Sequence, residues 1–270
     1  MKKRIITACI GVPFLIFVLA YGSWVAEIVI VLLTLIAMQE CYNALRKAGY
    51  RVCTWGGYVA VLLMWPFSRI KGGLDPLLLV TIAMGISMTG VLLSAEPTFP
   101  NAAASVYPLF VSLLPMSMFL MMMNRTFGTV PGAALVTLAF AVAFVGDAAA
   151  YFGGKAFGRH KLCPQISPNK TIEGAVCYTI GGTLAAFLAR CFFVTVLHLP
   201  MPGIAASFLL GFLGSIAGQI GDLSASLLKR HSGIKDYGYL FPGHGGVMDR
   251  FDSVIFTLIV CYCYTLVLVL

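Results

Sequence analysis

Charged residues are scarce in this sequence. They make up 10% of its 270 residues, and 60% are apolar, whereas a soluble domain carries roughly 25% charge. So little charge cannot cover a surface in water, which excludes an ordinary soluble domain and predicts an integral membrane protein. The apolar residues form long runs instead of short alternating segments, which excludes a transmembrane β-barrel.

Patterns for metal clusters and disulfides are also missing. The eight cysteines include no C-x-x-C pair and no Cys/His cluster, so no zinc site or disulfide framework is predicted. Most of them lie in apolar runs, where cysteine acts as a small hydrophobic residue.

Long apolar runs are what the sequence does contain. Those able to cross roughly 30 Å of hydrocarbon are 5–22, 24–42, 56–70, 74–93, 103–123, 131–152, 174–197, 203–228 and 250–270. They predict an all-α polytopic bundle of about nine transmembrane helices. Eight or ten spans stay open, because the third run is short and only Tyr21-Gly22-Ser23 separates the first two. The basic start resembles a signal peptide, but no small-x-small cleavage site follows, so we expect an uncleaved first helix.

Basic and acidic residues are unevenly distributed along the chain. With a cytoplasmic N-terminus, most Lys and Arg residues fall on cytoplasmic segments, as the positive-inside rule requires. The two longest cytoplasmic loops are then 153–173 and 229–249. Acidic residues are concentrated after residue 146. We therefore expect a scaffold region, 1–130, and a catalytic region, 131–270, with a polar cavity near the cytoplasmic face.

Aspartates occur inside predicted spans, where charge is costly. Asp147 and Asp222 would each cost about 2.5–3.5 kcal/mol at mid-membrane, so they are expected to face a polar cavity. A structural ion pair, or a helix end closer to water, is the alternative for each. Asp222, Ser226 and Lys229 or Arg230 recur at helical spacing and share one helix face.

The loop after this helix combines basic, acidic and glycine residues. Its cationic or potentially cationic members are Lys229, Arg230, Lys235, His244 and Arg250. Basic side chains and glycine backbone at Gly245 and Gly246 suit a polyphosphate. Asp249 and Asp252 are three residues apart and suit Mg²⁺, which takes carboxylate and phosphate oxygens together. A solvated loop is the alternative, but it does not explain this composition.

The loop 153–173 also combines basic residues with glycines, but its pattern is less specific. It ends in Ser167-Pro168-Asn169-Lys170-Thr171-Ile172-Glu173-Gly174. Ser167 is suited to cap a helix, and Lys170 beside glycines is suited to face phosphate. The stretch is not a Walker A motif, which needs two glycines at fixed spacing before Lys-Ser/Thr.

These motifs resemble the phosphatidate cytidylyltransferase family. Residues 226–252 match its pattern S-x-φ-K-R-x4-K-D-x-G-x2-φ-P-x-H-G-G-φ-x-D-R-φ-D at every specified position, where φ is apolar. Residues 167–174 are similar to a second element, S-P-x-K-T-x-E-G. The resemblance implies a membrane enzyme that converts CTP and phosphatidic acid to CDP-diacylglycerol and pyrophosphate. It also implies Mg²⁺, a homodimer, and a cavity open to lipid and cytosol. A second cation stays open.

Site roles follow from the resemblance and from the charges together. Asp222 and Asp249 are expected to bind metal, with Asp147 or Asp252 as a further carboxylate. Lys229, Arg230, Lys235 and Arg250 are expected to hold the two phosphate groups, and His244 to donate to an oxygen. His244 is disfavoured as a general base because no proton must be removed. Ser167, Lys170, Ser226, Gly245 and Gly246 are expected around the nucleotide.

Other classes of function compete with this interpretation. An ion-coupled transporter also has intramembrane carboxylates and Gly-rich helices, but it would place its charges at the midplane. Another CTP-using lipid-phosphate enzyme stays open, because the sequence does not identify the lipid tail. A structural scaffold would leave the loop composition unexplained. We expect CTP, phosphatidic acid and membrane lipids as partners, no nucleic acid, and a bacterial plasma membrane location.

Overall fold

The computed structural model describes residues 24–69, 75–243 and 245–269. Its helices are α1 Trp24–Lys47, α2 Trp55–Arg69, α3 Pro76–Leu92, α4 Phe99–Pro108, α5 Leu114–Met123, α6 Gly132–Phe157, α7 Ile172–Thr195, α8 Ile204–His231 and α9 Met248–Val269. A five-residue π-helix, Leu109–Leu113, joins α4 to α5 directly after Pro108. Proline lacks the backbone N–H that a regular helix would use there.

Helices occur at each predicted span from 24–42 onward. Among the described residues, six helical segments are long and apolar enough to cross a membrane: Trp24–Lys47, Phe99–Met123, Gly132–Phe157, Ile172–Thr195, Ile204–His231 and Met248–Leu268. Helix α2 has 15 residues and α3 has 17, so both are shorter. The predicted span 5–22 lies outside the described residues, so the count of nine stays a prediction. The chain is a mostly helical, multi-pass membrane protein.

Two short hairpins modify the all-α prediction. Strands β1 (Thr126–Phe127) and β2 (Val130–Pro131) pair antiparallel, and so do β3 (Lys161–Cys163) and β4 (Ser167–Thr171). The segment 153–173, predicted to be a loop, therefore contains the end of α6, a hairpin and the start of α7. A five-residue strand lacks a clear alternating pattern, which is why it was not predicted.

The chain divides into two compact units. The first comprises Met1–Met121 and Leu228–Phe251, and the second comprises Met122–Leu227 and Asp252–Leu270. The predicted functional division between 130 and 131 stays a prediction, because compactness does not report which residues carry out chemistry.

The first unit contains a buried acid in its helical packing. Helix α1 packs against α2 and α4. Glu27 on α1 is 1% exposed and accepts hydrogen bonds from Trp65 Nε1 at 2.6 Å and Arg69 Nη2 at 2.7 Å. Buried acids are retained where a partner offsets the desolvation cost, as Arg69 does here.

The second unit is organised by the close packing of α6 on α7. Gly146 lies under the ring of Tyr178, where an added Cβ would come within 2.6 Å of the ring. An added Cβ at Gly153 would likewise overlap the side chain of Cys177. Small residues let membrane helices approach closely, and here they place Asp147, one residue after Gly146, beside α7.

Candidate active site

A cavity of about 460 Å³ lies in the second unit. Four charged side chains line it: Asp147 and Lys155 from α6, Lys170 from β4, and Asp222 from α8. Three of them, Asp147, Lys170 and Asp222, are residues that the sequence singled out. The structure therefore brings together residues that are up to 75 positions apart (222 − 147).

Lys170 and Asp222 form an ion pair in this cavity. Lys170 Nζ lies 2.5 Å from Asp222 Oδ2, and the two side chains are 28% and 26% exposed. Both charges are thus partly desolvated but still reachable from water. Asp222 forms the ion pair that was the structural alternative, and it lines the cavity. The predicted polar cavity near the cytoplasmic face stays a prediction.

Local structure around β4 holds Lys170 in place. Strand β4 ends at Thr171, whose Oγ1 accepts a hydrogen bond from Gly174 N at 3.1 Å and caps α7. Lys161 Nζ donates to Pro168 O at 2.7 Å, which ties the hairpin together. The cap belongs to Thr171, not to Ser167, which lies on β4 and is not among the cavity-lining residues.

Polar uncharged groups form another part of the cavity wall. Tyr178 and Gln219 line it, and Gln219 Nε2 donates to Thr179 Oγ1 at 3.0 Å. Tyr178 is 3% exposed and Ser253 is 2% exposed. Their hydroxyls lie close together, yet neither completes a hydrogen bond of good geometry within the described part of the chain. A buried unpaired hydroxyl is costly, so these two hydroxyls would gain from a hydrogen-bonding partner that enters the cavity.

The first unit holds the second set of predicted residues, arranged around Asp249. Asp249 Oδ1 accepts from Lys229 Nζ at 2.8 Å, and Oδ2 accepts from Tyr237 N at 2.7 Å and Gly246 N at 3.0 Å. The Asp249 side chain is 3% exposed. This carboxylate therefore organises the loop, and its predicted metal-binding role stays a prediction.

Glu40 is a functional candidate that the sequence analysis did not select. It lies on α1, is 6% exposed, and accepts from Val247 N at 3.0 Å and Met248 N at 2.9 Å. The signal was available, because Glu40 lies inside the predicted span 24–42, where a carboxylate is costly, as it is at Asp147. Gly238 and Gly246 both lie against it, and a Cβ on either would overlap Glu40 Oε1.

The glycines of the loop have structural reasons to be glycine. Gly245 has φ of 86°, a conformation that favours glycine, and its carbonyl accepts from Phe241 N at 2.9 Å. The Gly246 N–H donates a hydrogen bond to Asp249 Oδ2, and a side chain at Gly246 would overlap Glu40. Their predicted contact with nucleotide stays a prediction.

The remaining predicted residues differ in their accessibility. Arg230, Lys235 and Arg250 are exposed, Ser226 is half-buried, and Asp252 is 9% exposed. Asp252 Oδ1 accepts from Ser253 N at 2.8 Å. His244 lies outside the described residues.

The donor chemistry of the cavity fits Mg²⁺. Asp147 and Asp222 offer carboxylate oxygens, and Mg²⁺ is commonly held by one or two carboxylates together with substrate phosphates. Within the described ranges, no group of three His, Cys, Asp or Glu side chains converges as a metal cluster. A site with two protein carboxylates that is completed by substrate oxygens needs no such cluster.

Comparison with known proteins gives the same family along nearly the whole chain. Residues 2–268 match the model of the cytidylyltransferase family. A Bacillus subtilis protein named phosphatidate cytidylyltransferase is 32% identical over 265 residues, covering 96% of this chain and 95% of that protein. Proteins of the same name from Staphylococcus haemolyticus and Staphylococcus aureus are 31% and 32% identical, each with 96% of both chains covered. The relatives also match the region 1–130, where the sequence motifs gave no resemblance beyond apolar spans. This chain belongs to the cytidylyltransferase family.

Proposed function

We propose that this chain transfers the cytidylyl group of CTP to phosphatidate, giving CDP-diacylglycerol and pyrophosphate. The activity is the one stated in the names of its relatives. The observation that carries the proposal is the cavity in which two carboxylates and two lysines meet within a membrane-spanning chain. Carboxylates suit a hard cation, lysines suit phosphate, and the surrounding helices suit a lipid substrate.

The reaction makes one bond and breaks one. An oxygen of the lipid phosphate attacks the α-phosphorus of CTP, and the bond from that phosphorus to the bridging oxygen of the β-phosphate breaks. Pyrophosphate leaves with the electron pair of that bond. The nucleophile is already an anion, so the main task of the protein is to bring two polyanions together and to neutralise their charge.

Asp147 and Asp222 are the residues best placed to hold Mg²⁺. When bound, Mg²⁺ neutralises phosphate charge and stabilises the departing pyrophosphate. Asp249 remains a candidate ligand through Oδ1, the oxygen that Lys229 contacts, and Asp252 remains a candidate second carboxylate. A second cation is left open by this donor set.

Lysines of the cavity neutralise the phosphates. Lys170 is held next to Asp222 by β4, and Lys155 lines the same cavity. Lys170 is half-buried and Lys155 is exposed. Lys170 therefore interacts with phosphate more strongly than a fully solvated cation would, because the local dielectric is lower. The exposed Arg230, Lys235 and Arg250 supply further positive charge in the first unit, where His244 is proposed to donate to a phosphate oxygen.

The Tyr178 hydroxyl is suited to donate a hydrogen bond to a phosphate oxygen in the cavity. Asp147, Asp222 and Asp252 lie near enough to act electrostatically on it. A phosphate oxygen entering the cavity would satisfy a hydroxyl that is otherwise unpaired among the described residues. This contact is worth most when the site excludes water.

Membrane placement completes the proposal. The distribution of Lys and Arg supports a cytoplasmic N-terminus, which would let the cavity accept CTP from the cytosol and phosphatidate from the bilayer. The relatives are bacterial proteins, which supports a plasma-membrane location. A homodimer stays part of the proposal.

Product formation tests the function directly. Purified protein in mixed micelles is incubated with CTP labelled at the α-phosphate, phosphatidate and Mg²⁺, and the organic phase is analysed for label. We expect a labelled lipid that requires phosphatidate and disappears with EDTA. Diacylglycerol, which lacks the phosphate nucleophile, is the matched control, and polyprenyl phosphate tests the related lipid-phosphate activity. Label that does not depend on phosphatidate, or label obtained with polyprenyl phosphate alone, would overturn the proposal.

A further inference from the structure

We propose that Glu40 is a positioning residue for the phosphate-binding loop, although it lies in the half of the chain that the sequence marks as scaffold. The proposal rests on the function proposed above and adds a residue to it. Glu40 acts through the loop backbone, since its two carboxylate oxygens accept from Val247 N and Met248 N.

The loop needs an external acceptor at this point. Helix α9 begins at Met248, and the first N–H groups of a helix have no partner within it. Ser, Thr, Asp or Asn usually supplies the cap, but Val247 precedes this helix and has no side-chain acceptor. Glu40, 207 residues away in sequence, supplies the acceptor instead.

The contact is strong because it is buried and charge-assisted. Glu40 is 6% exposed, Val247 is 0% exposed and Met248 is 2% exposed. Hydrogen bonds to an ionised group are roughly twice as strong as neutral ones, and an anion at a helix N-terminus is further favoured by the helix dipole. The start of α9 is therefore fixed to α1.

Glu40 also sets the shape of the glycine-rich segment. An added Cβ at Gly246 would lie 2.5 Å from Glu40 Oε2 and closer still to Oε1, and Gly238 meets the same carboxylate. The two residues after Met248 are Asp249 and Arg250, and Asp249 holds Lys229, Tyr237 N and Gly246 N. A displaced Glu40 would thus move the side chains that are expected to handle phosphate.

The chain provides a matched control on the same helix. Glu27 is also a buried acid on α1, at 1% exposure, but its partners are Trp65 and Arg69 on α2. Glu27→Gln and Glu40→Gln make the same chemical change at two buried positions, which are 1% and 6% exposed. A purely structural role predicts that both variants lose stability and keep normal kinetics while folded.

The test compares the kinetics of the folded variants. Turnover and KM for CTP and for phosphatidate are measured in mixed micelles at a temperature where each variant is fully folded by its own melting curve. We expect Glu40→Gln to lower kcat/KM roughly 10-fold to 100-fold, as expected when reacting groups are misplaced by about 1 Å, and Glu27→Gln to stay within about twofold of the wild type. Equal kinetics in the two variants would overturn the proposal.

A second measurement needs no variant. In the wild-type protein, the amides of Val247 and Met248 are expected to exchange with deuterium much more slowly than the amide of the exposed residue Tyr239. Rapid exchange at 247 and 248 would overturn the proposal even if Glu40→Gln does not fold. If the wild type forms no labelled lipid, the proposed function fails, and the exchange result still decides whether the Val247 and Met248 amides are held as the contact with Glu40 requires.

Discussion

Replacing Gly246 by alanine tests how tightly the loop is packed on Glu40. The new Cβ would lie 2.5 Å from Glu40 Oε2 and closer to Oε1, whereas ordinary contact begins near 3.4 Å. Glu40 would have to move by at least about 1 Å, since the difference between these two distances applies to Oε2 and Oε1 lies closer. Its hydrogen bonds to Val247 N and Met248 N are already 3.0 and 2.9 Å long, and bonds beyond roughly 3.2 Å weaken.

The expected cost follows from these contacts. Overpacking costs typically about 1–3 kcal/mol, and leaving a buried N–H unpaired costs roughly 1–3 kcal/mol. One unpaired N–H gives a total of about 2–6 kcal/mol, which corresponds to a fall in the melting temperature of at least about 4 °C. The fall is measured by thermal unfolding in detergent. Gly85→Ala, on the exposed side of α3 with no atom within 4 Å of the new Cβ, is the control and should not lower the melting temperature.

A double variant identifies the obstacle. In a Glu40→Ala background the carboxylate is gone, so adding Gly246→Ala should cost less than about 1 kcal/mol, because neighbouring residues that share a clash are not additive. If Gly246→Ala lowers the melting temperature equally in both backgrounds, the clash with Glu40 is not the cause. If it lowers the temperature in neither, the packing argument itself is refuted.

Two further predictions concern the cavity of the second unit. Asp222→Asn removes a carboxylate proposed to hold Mg²⁺, so kcat should fall on the order of 100-fold. The melting temperature should change little, because the partly exposed ion pair with Lys170 contributes about 1 kcal/mol or less. Near-normal turnover at low Mg²⁺ would remove Asp222 from the metal site. Tyr178→Phe should lower kcat/KM roughly tenfold without lowering the melting temperature, because the hydroxyl is unpaired within the described residues and an apolar replacement costs little there. Tyr42→Phe is the control for Tyr178→Phe, since the Tyr42 hydroxyl is also buried and unpaired among the described residues but lies in the first unit. A rise in KM for CTP or for phosphatidate in Tyr178→Phe alone identifies which phosphate the Tyr178 hydroxyl contacts. Equal kinetics in both variants would refute this role of Tyr178.

Helix positions could be predicted well from the sequence, because a long apolar run in a membrane chain has few alternatives to a helix. The run 131–152 corresponds to Gly132–Phe157, and the run 203–228 corresponds to Ile204–His231. Their ends extend beyond the apolar residues, since a helix continues into polar sequence while its backbone hydrogen bonds are satisfied. The β3–β4 hairpin was missed because its order comes from pairing with a neighbouring strand and not from periodicity.

The candidate site could be predicted in part. Asp147 and Asp222 were selected because charge is costly in apolar surroundings, and Lys170 was selected because a lysine beside glycines suits phosphate. The structure places all three around one cavity. Glu40 was missed because most acidic residues lie after residue 146, which points away from the first half of the chain. The partners of Asp249 depend on how a glycine-rich loop folds, and such a loop has too many accessible conformations for its hydrogen bonds to be read from its residues.

The hydrogen bonds of the loop change the expected source of phosphate recognition. A backbone site for phosphate needs N–H groups that point toward the ligand, but the N–H groups of Tyr237, Gly246, Val247 and Met248 all point to Glu40 or Asp249. Those four donors are already bound to carboxylates. We therefore expect side chains to supply the phosphate contacts of this loop, the role proposed above for the exposed residues Arg230, Lys235 and Arg250. The two buried acids fix the backbone so that these long side chains start from defined positions, and the glycines are required for the close approach to Glu40.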